Sequence, residues 1–134
     1  MIGVPVSVCP CGRTDARGKA SAFDACCGRY LDHNTLAPDA ESLMRSRYSA
    51  FVLERVAYLQ SSWHASTRPA DLTLEPGVKW LGLDVKRHRV IDADHAEVEF
   101  VARSRVAGRG QRLHETSRFV REGGRWFYVD GDLK

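Results

Sequence analysis

No stretch of this sequence stays apolar long enough to cross a membrane as a helix. Its longest uncharged apolar run, Met1 to Val8, falls far short of the ~20 residues that a span requires. The run has no basic residues before it and no small-residue cleavage site after it. It therefore does not read as a secretion signal, and a cytoplasmic location is the expectation. A large surplus of one charge is also missing. The 20 Lys and Arg against 17 Asp and Glu leave +3, and the two signs interleave, unlike the clustered basic stripe of a committed nucleic-acid binder. There is no Ser-His-Asp order, phosphate-cradling glycine loop or nucleotide fingerprint, the Gly108-Arg109-Gly110 segment being too short for either glycine pattern. Repeats and low-complexity segments are absent as well. At 43% hydrophobic and 28% charged residues the composition excludes disorder, and 134 residues suffice for one core but not for two unless a second unit is stapled by metal.

What is present divides by composition. Residues 1–37 hold all four cysteines and little periodicity, as expected of a loop-rich segment needing an external staple, and residues 38–134 form a second unit. From Pro38 the pattern becomes helical. Asp39 can cap, Glu41 suits the positive end of a helix, and Leu43, Met44, Tyr48, Phe51 and Val52 recur at helical spacing, which predicts a helix over about 40–53. Val56, Leu59 and Trp63 predict a second over about 55–63. After Pro76-Gly77 the period becomes two: Leu81, Leu83 and Val85 form one alternating set, and Ala96, Val98, Phe100 and Ala102 another, with Asp92-Ala93-Asp94 as the turn. A third strand over about 112–120 follows the Gly108-Arg109-Gly110 loop, and a fourth over 125–130 follows Glu122-Gly123-Gly124. Two helices and four strands joined by short links predict an α+β fold in which an antiparallel meander hides one face under the helices.

The strongest chemical signal is Cys9-Pro10-Cys11, then fourteen residues, then Cys26-Cys27. Thiolates are soft donors that favour zinc, and two close pairs supply the four ligands of a tetrahedral site. Gly12 permits the tight turn that such spacing needs. Free thiols and disulfides are the alternatives. Disulfides require an oxidising compartment, and adjacent Cys26 and Cys27 lie too close along the chain to bridge each other easily. A closed four-thiolate zinc site would be structural rather than catalytic, with no open position for water.

Cys9-Pro10-Cys11-Gly12, Cys26-Cys27-Gly28-Arg29-Tyr30 and the run from Glu41 to Phe51 resemble the start of the YchJ-like proteins. Trp63-His64, Trp80-Leu81-Gly82-Leu83, Ser117-Arg118-Phe119 and Trp126 to Gly131 are similar to the rest of that family, so the resemblance covers nearly the whole chain. It implies an N-terminal SEC-C motif, named after the zinc-binding tail of the export motor SecA. Joined to it would be a cone-shaped domain like nuclear transport factor two and the cystatins, with helices on a curved four-stranded sheet. It also implies that Cys9, Cys11, Cys26 and Cys27 ligate a structural zinc ion. In two respects the chain departs from the motif: Arg13 stands where Ser is usual, and the loop between the cysteine pairs is longer. Many relatives repeat the motif after the cone, whereas this chain stops at Lys134.

Cone domains often enclose a cavity that different relatives use for isomerisation, hydrolysis, ligand binding or dimerisation, so the fold does not specify the chemistry. Candidate lining residues are Tyr48, Trp63, Trp80 and Phe119, with Arg47, His64, Glu115 and Asp130 as the polar groups; no catalytic residue is assigned. Glu115 shares a face with Leu113 and Phe119, and Asp130 with Trp126 and Tyr128. Either carboxylate could turn inward and act as a base, or else sit in an ion pair, a turn or solvent. Arg47 is expected to reach Asp130. His64 is expected to cap a helix end rather than shuttle protons, and His88, His95 and His114 to be exposed. The leading functional expectation is a binding module that presents residues 9–30, with Arg13, Arg17, Lys19 and Arg29, to a protein partner, as SecA's tail does with an export chaperone and the ribosome. An enzyme or small-ligand binder using the cavity is the second, and ribosome or nucleic-acid binding through the basic knuckle the third.

Overall fold

The computed structural model describes residues 7–134, so most of the apolar run Met1 to Val8 lies outside it. A short helix α1 (Gly28–Leu31) follows the cysteines. Helix α2 (Ala40–Val52) starts where Asp39 accepts a hydrogen bond from Ser42 N at 2.7 Å, and helix α3 (Val56–Ser61) follows a tight reversal at Glu54. Strands β1 (Val78–Asp92), β2 (His95–Val106), β3 (Arg109–Glu122) and β4 (Arg125–Leu133) form one antiparallel meander in that order. Leu43, Met44 and Tyr48 of α2 pack on Ala96, Val98, Phe100, Ala102 and Phe119 of the sheet, as the alternation in β2 predicts.

Three departures from the expected strands have physical causes. Arg109 and Gly110 belong to β3, paired with Val106 and Arg105, because the turn is the two-residue Ala107-Gly108 with both φ angles positive, the hairpin geometry that matches strand twist. Helix α3 stops at Ser61, short of Trp63, because the chain leaves to dock on the edge strand: Tyr128 N donates to Ser62 O at 2.9 Å and His64 N to Tyr128 O at 2.7 Å. Finally, strict alternation breaks at bulges. The β1–β2 register slips at Leu81, Lys86 and Ile91, and the β3–β4 register slips at Val129. Each bulge inverts the faces beyond it and bends the sheet. Trp80 therefore faces inward beside Leu83 and Val85, while Leu81 is left 47% exposed.

Among the described residues no helix is long and apolar enough to cross a membrane. Replacing the α2 cap, Asp39→Ala, is expected to lower stability by about 1 kcal/mol, read as a shift of the urea midpoint without a change in slope.

Candidate metal centre and cone cavity

The fourteen residues between the cysteine pairs fold as a small hairpin. Bridges at Val8↔Ala22 and Thr14↔Ala20 zip it, and Asp15 Oδ1 accepts from Arg17 N and Lys19 N across its tip, with Gly18 at φ 76°. The two cysteine pairs meet at the base of this hairpin. Cys9 and Cys11 flank a turn that closes with Gly12 N donating to Cys9 O, Gly12 adopting φ 76°; Cys26 ends the 3-10 turn Phe23–Ala25, and Cys27 starts α1. Gly28 is required here, because a Cβ at that position would lie 2.8 Å from Phe23 O.

All four sulfurs lie within 4.8 Å of one another, and none of the cysteines is more than 3% exposed. Cys9 Sγ–Cys11 Sγ and Cys11 Sγ–Cys26 Sγ are both 3.6 Å, far longer than a disulfide bond and close to the edge of about 3.8 Å for a tetrahedron with zinc–sulfur arms of about 2.3 Å. The thiols are strongly unlike one another. Hydrogen bonds from Cys11 and Cys27 draw Cys9 well below the usual thiol range, burial pushes Cys26 up to about 12, and Cys27 is held above its usual range because it donates to Cys11 and Cys9. One thiolate is thus tolerated and further ones repel it, a conflict that a divalent cation removes. The donor set and its spacing fit zinc.

Helix α2 supports this cluster directly. Ser49 Oγ is 3.6 Å from Cys9 Sγ, Arg45 Nη1 donates to Cys11 O at 3.0 Å, and Arg13 Nη1 donates to Ser42 Oγ at 2.9 Å. Glu41 gathers Arg45 at 2.9 Å, Arg13 at 3.7 Å and His88 Nδ1 at 3.9 Å. The cysteines pack in the same apolar cluster as Leu43, Tyr48 and Phe100, so the knuckle and the cone share one core.

On the far side of α2 a cavity of about 250 Å³ opens between helix and sheet. Tyr48, Trp63, Trp80 and Phe119 line it, joined by Tyr128 and Phe51. Arg47, 6% exposed, enters it with its guanidinium 5.0 Å from the Trp63 ring centre and 4.5 Å from that of Tyr128. Its Nη1 donates to Leu59 O at 2.8 Å and Ser62 Oγ at 2.6 Å. Burial pushes the Arg47 pKa down to about 10, which still leaves it charged at neutral pH. Glu115 also lines the cavity and accepts a hydrogen bond from Ser117 Oγ.

Two candidates lie elsewhere. Asp130 does not meet Arg47. The bulge at Val129 turns it to the outer face, where it pairs with Arg118 Nε at 2.6 Å. His64 neither caps α3 nor faces the cavity; its ring bonds Ser66 Oγ at 2.7 Å and Glu122 Oε2 at 3.0 Å beyond β4. His95 is exposed as expected, but His88 and His114 are half-buried. His114 Nε2 meets Glu99 at 2.7 Å on the outer face, and the bulge at Lys86 turns His88 inward, leaving its Nε2 buried without a partner.

Comparison with known sequences places these features. The family model described as the YchJ middle domain, like nuclear transport factor two, matches residues 39–131. The chain belongs to the YchJ-like family. A UPF0225 protein of Polaromonas naphthalenivorans is 68% identical over 130 residues, 92% of this chain and 96% of its own. One from Bordetella pertussis is 56% identical over 131 residues, 94% and 92% of the two chains. Two solved structures share the fold at TM-score 0.80: a SEC-C motif containing protein from Rhodopseudomonas palustris, 30% identical over 96% of this chain and 99% of its own, and another from Psychrobacter arcticus, 28% identical over 96% and 84%.

In this YchJ-like chain the residues that sequence reasoning missed are the supports behind the cysteines: Ser42, Arg45 and Ser49. Ser42 and Ser49 are seven apart, hence on one helix face, and both are buried. That polar, small-residue stripe was the available signal. Ser49→Ala, which removes the hydroxyl beside Cys9, is expected to weaken zinc binding about tenfold in competition with a chromophoric chelator while helix content stays unchanged.

Proposed function

We propose that this chain is a zinc-stapled binding protein: one structural zinc ion on Cys9, Cys11, Cys26 and Cys27 fixes α2, and the cone cavity on the other side of α2 takes a small ligand. The observation that carries the reading is the cavity itself, about 250 Å³ and walled by Tyr48, Trp63, Trp80 and Phe119 around a buried Arg47. An open apolar space with a few convergent polar groups is the usual form of a ligand site. An engineered apolar cavity of about 150 Å³ already holds a benzene, so this one has room for a ring with a substituent.

Presentation of residues 9–30 to a protein partner has less support. Of the four cations expected to face a partner, Arg13 is bound to Ser42, and Arg29 folds onto the Tyr30 ring and the Cys26 carbonyl. Arg17 and Lys19 remain at the hairpin tip, close to Asp15. The same count weighs against a ribosome or nucleic-acid reading of the knuckle, which requires several cations on one face.

The test is to fill the space. Ala102 lines the cavity and is 3% exposed, so Ala102→Leu places three more carbons inside it. Toluene is expected to bind the parent chain, shifting the methyl and ring NMR signals around Trp80 and Phe119, and to leave the zinc-loaded Ala102→Leu chain unperturbed. Toluene that moves no cavity signal in the parent would count against the reading.

A further inference from the structure

The cavity carries two polar groups of opposite sign, and their surroundings restrict what can sit between them. Arg47 spends only Nη1 on the protein, on Leu59 O and Ser62 Oγ. Its Nε–H and Nη2–H groups have no protein acceptor among the described residues. Yet the one buried side-chain polar atom without a partner there is His88 Nε2, so these Arg47 groups keep contact with open space. Arg47 is only 6% exposed, and that open space is the cavity. Glu115, which lines the same cavity, is pinned. Ser117 Oγ donates to its Oε2, and the carboxylate lies over Gly131, where a Cβ would overlap it. The carboxylate's other oxygen has no protein donor among the described residues. Arg47 and Glu115 line the same cavity of about 250 Å³, so one guest can reach both.

The walls around this pair are flat rings. Tyr48 meets Trp80 edge-on at 5.6 Å, and Tyr128 meets Trp63 at 5.1 Å and Phe119 at 5.8 Å. Rings arranged in this way favour a planar guest that can lie against one face while meeting others at their edges. The guanidinium and the carboxylate offset each other's formal charge, which makes an ion a poor fit: an anion satisfies Arg47 and is repelled by Glu115, and a cation does the reverse. A guest that offers an acceptor to the one and a donor to the other satisfies both.

We propose that the cavity binds a neutral planar ring bearing a hydrogen-bond acceptor and donor side by side, an amide- or lactam-type edge, with the acceptor on Arg47 and the donor on Glu115. This assignment rests on the cavity being a ligand site, as argued above. Arg47 and Glu115 are then the residues that set specificity, and Gly131 is a positioning residue, because its missing side chain lets the Glu115 carboxylate lie where it does.

Four probes of nearly equal size separate the class from the site: toluene, benzamide, benzoate and benzamidine, titrated into the full-length zinc-loaded chain and followed by saturation-transfer NMR and tryptophan fluorescence. Benzamide is expected to bind most tightly, by about tenfold over the other three, the difference of one hydrogen bond to a charged group. Glu115→Gln removes the negative partner and should bring benzoate level with or ahead of benzamide. Gly131→Ala, at a backbone conformation open to any residue, should displace the Glu115 carboxylate and erode the benzamide preference without touching Arg47. Zinc content and the circular dichroism spectrum of each variant establish that it is folded. Benzoate or benzamidine ahead of benzamide in the parent, or toluene equal to it, would overturn the ligand class while leaving the cavity as a binding site. No binding by any of the four would overturn the site and the class together.

Discussion

Four sulfur atoms held within 4.8 Å of one another repel as soon as more than one of them loses its proton. Their burial removes the water that would otherwise screen them. Burial and mutual hydrogen bonding pull the thiols apart, Cys9 toward the thiolate and Cys26 and Cys27 toward the protonated form. A divalent ion at the centre turns the same repulsion into four attractions, and its binding energy becomes folding energy for everything packed against it. A segment such as residues 7–31 has little regular structure of its own, only two short helical turns and two isolated bridges.

Helix α2 transmits that constraint. One side carries Ser42, Arg45 and Ser49 to the cysteine loop, and another carries Arg47, Tyr48 and Phe51 to the cavity. The two stripes interleave in sequence because successive helical residues point about a quarter-turn apart, so a single thirteen-residue helix serves both sides. The knuckle is therefore no appendage. Its sulfurs share an apolar cluster with the helix face and sheet strands that shape the cavity, and movement of the loop would be felt at the cavity through packed side chains rather than through a flexible tether.

Much of this was legible in the sequence. The Asp39 cap, the α2 stripe, the meander and its glycine turns follow from local chemistry and periodicity, and four cysteines in two close pairs announced a cluster. What could not be read was the parity of the strands. Alternation assigns faces only while every residue is paired, and single extra residues at Leu81, Lys86 and Val129 invert the assignment beyond them. For this reason Asp130 sits with Arg118 in solvent instead of with Arg47, and His88 lies against α2 with a buried, unpartnered nitrogen. Glu115, on a stretch of β3 without a bulge before it, kept the face that its neighbours Leu113 and Phe119 predicted. The role of Arg47 is set by two partners, Leu59 O and Ser62 Oγ, that belong to the next helix and its exit, a contact that spacing within α2 alone does not reveal.

The central claim is that the cysteine cluster and the cone are one cooperative unit joined by a metal ion. The most direct measurement is denaturant unfolding of protein purified without chelator, with zinc release followed by a chromophoric indicator and loss of the cone followed by tryptophan fluorescence in the same sample. The account predicts one zinc ion per chain, released in a transition that coincides with the fluorescence change. A chain that carries no metal, or a cone that stays folded after the ion has left, would contradict it.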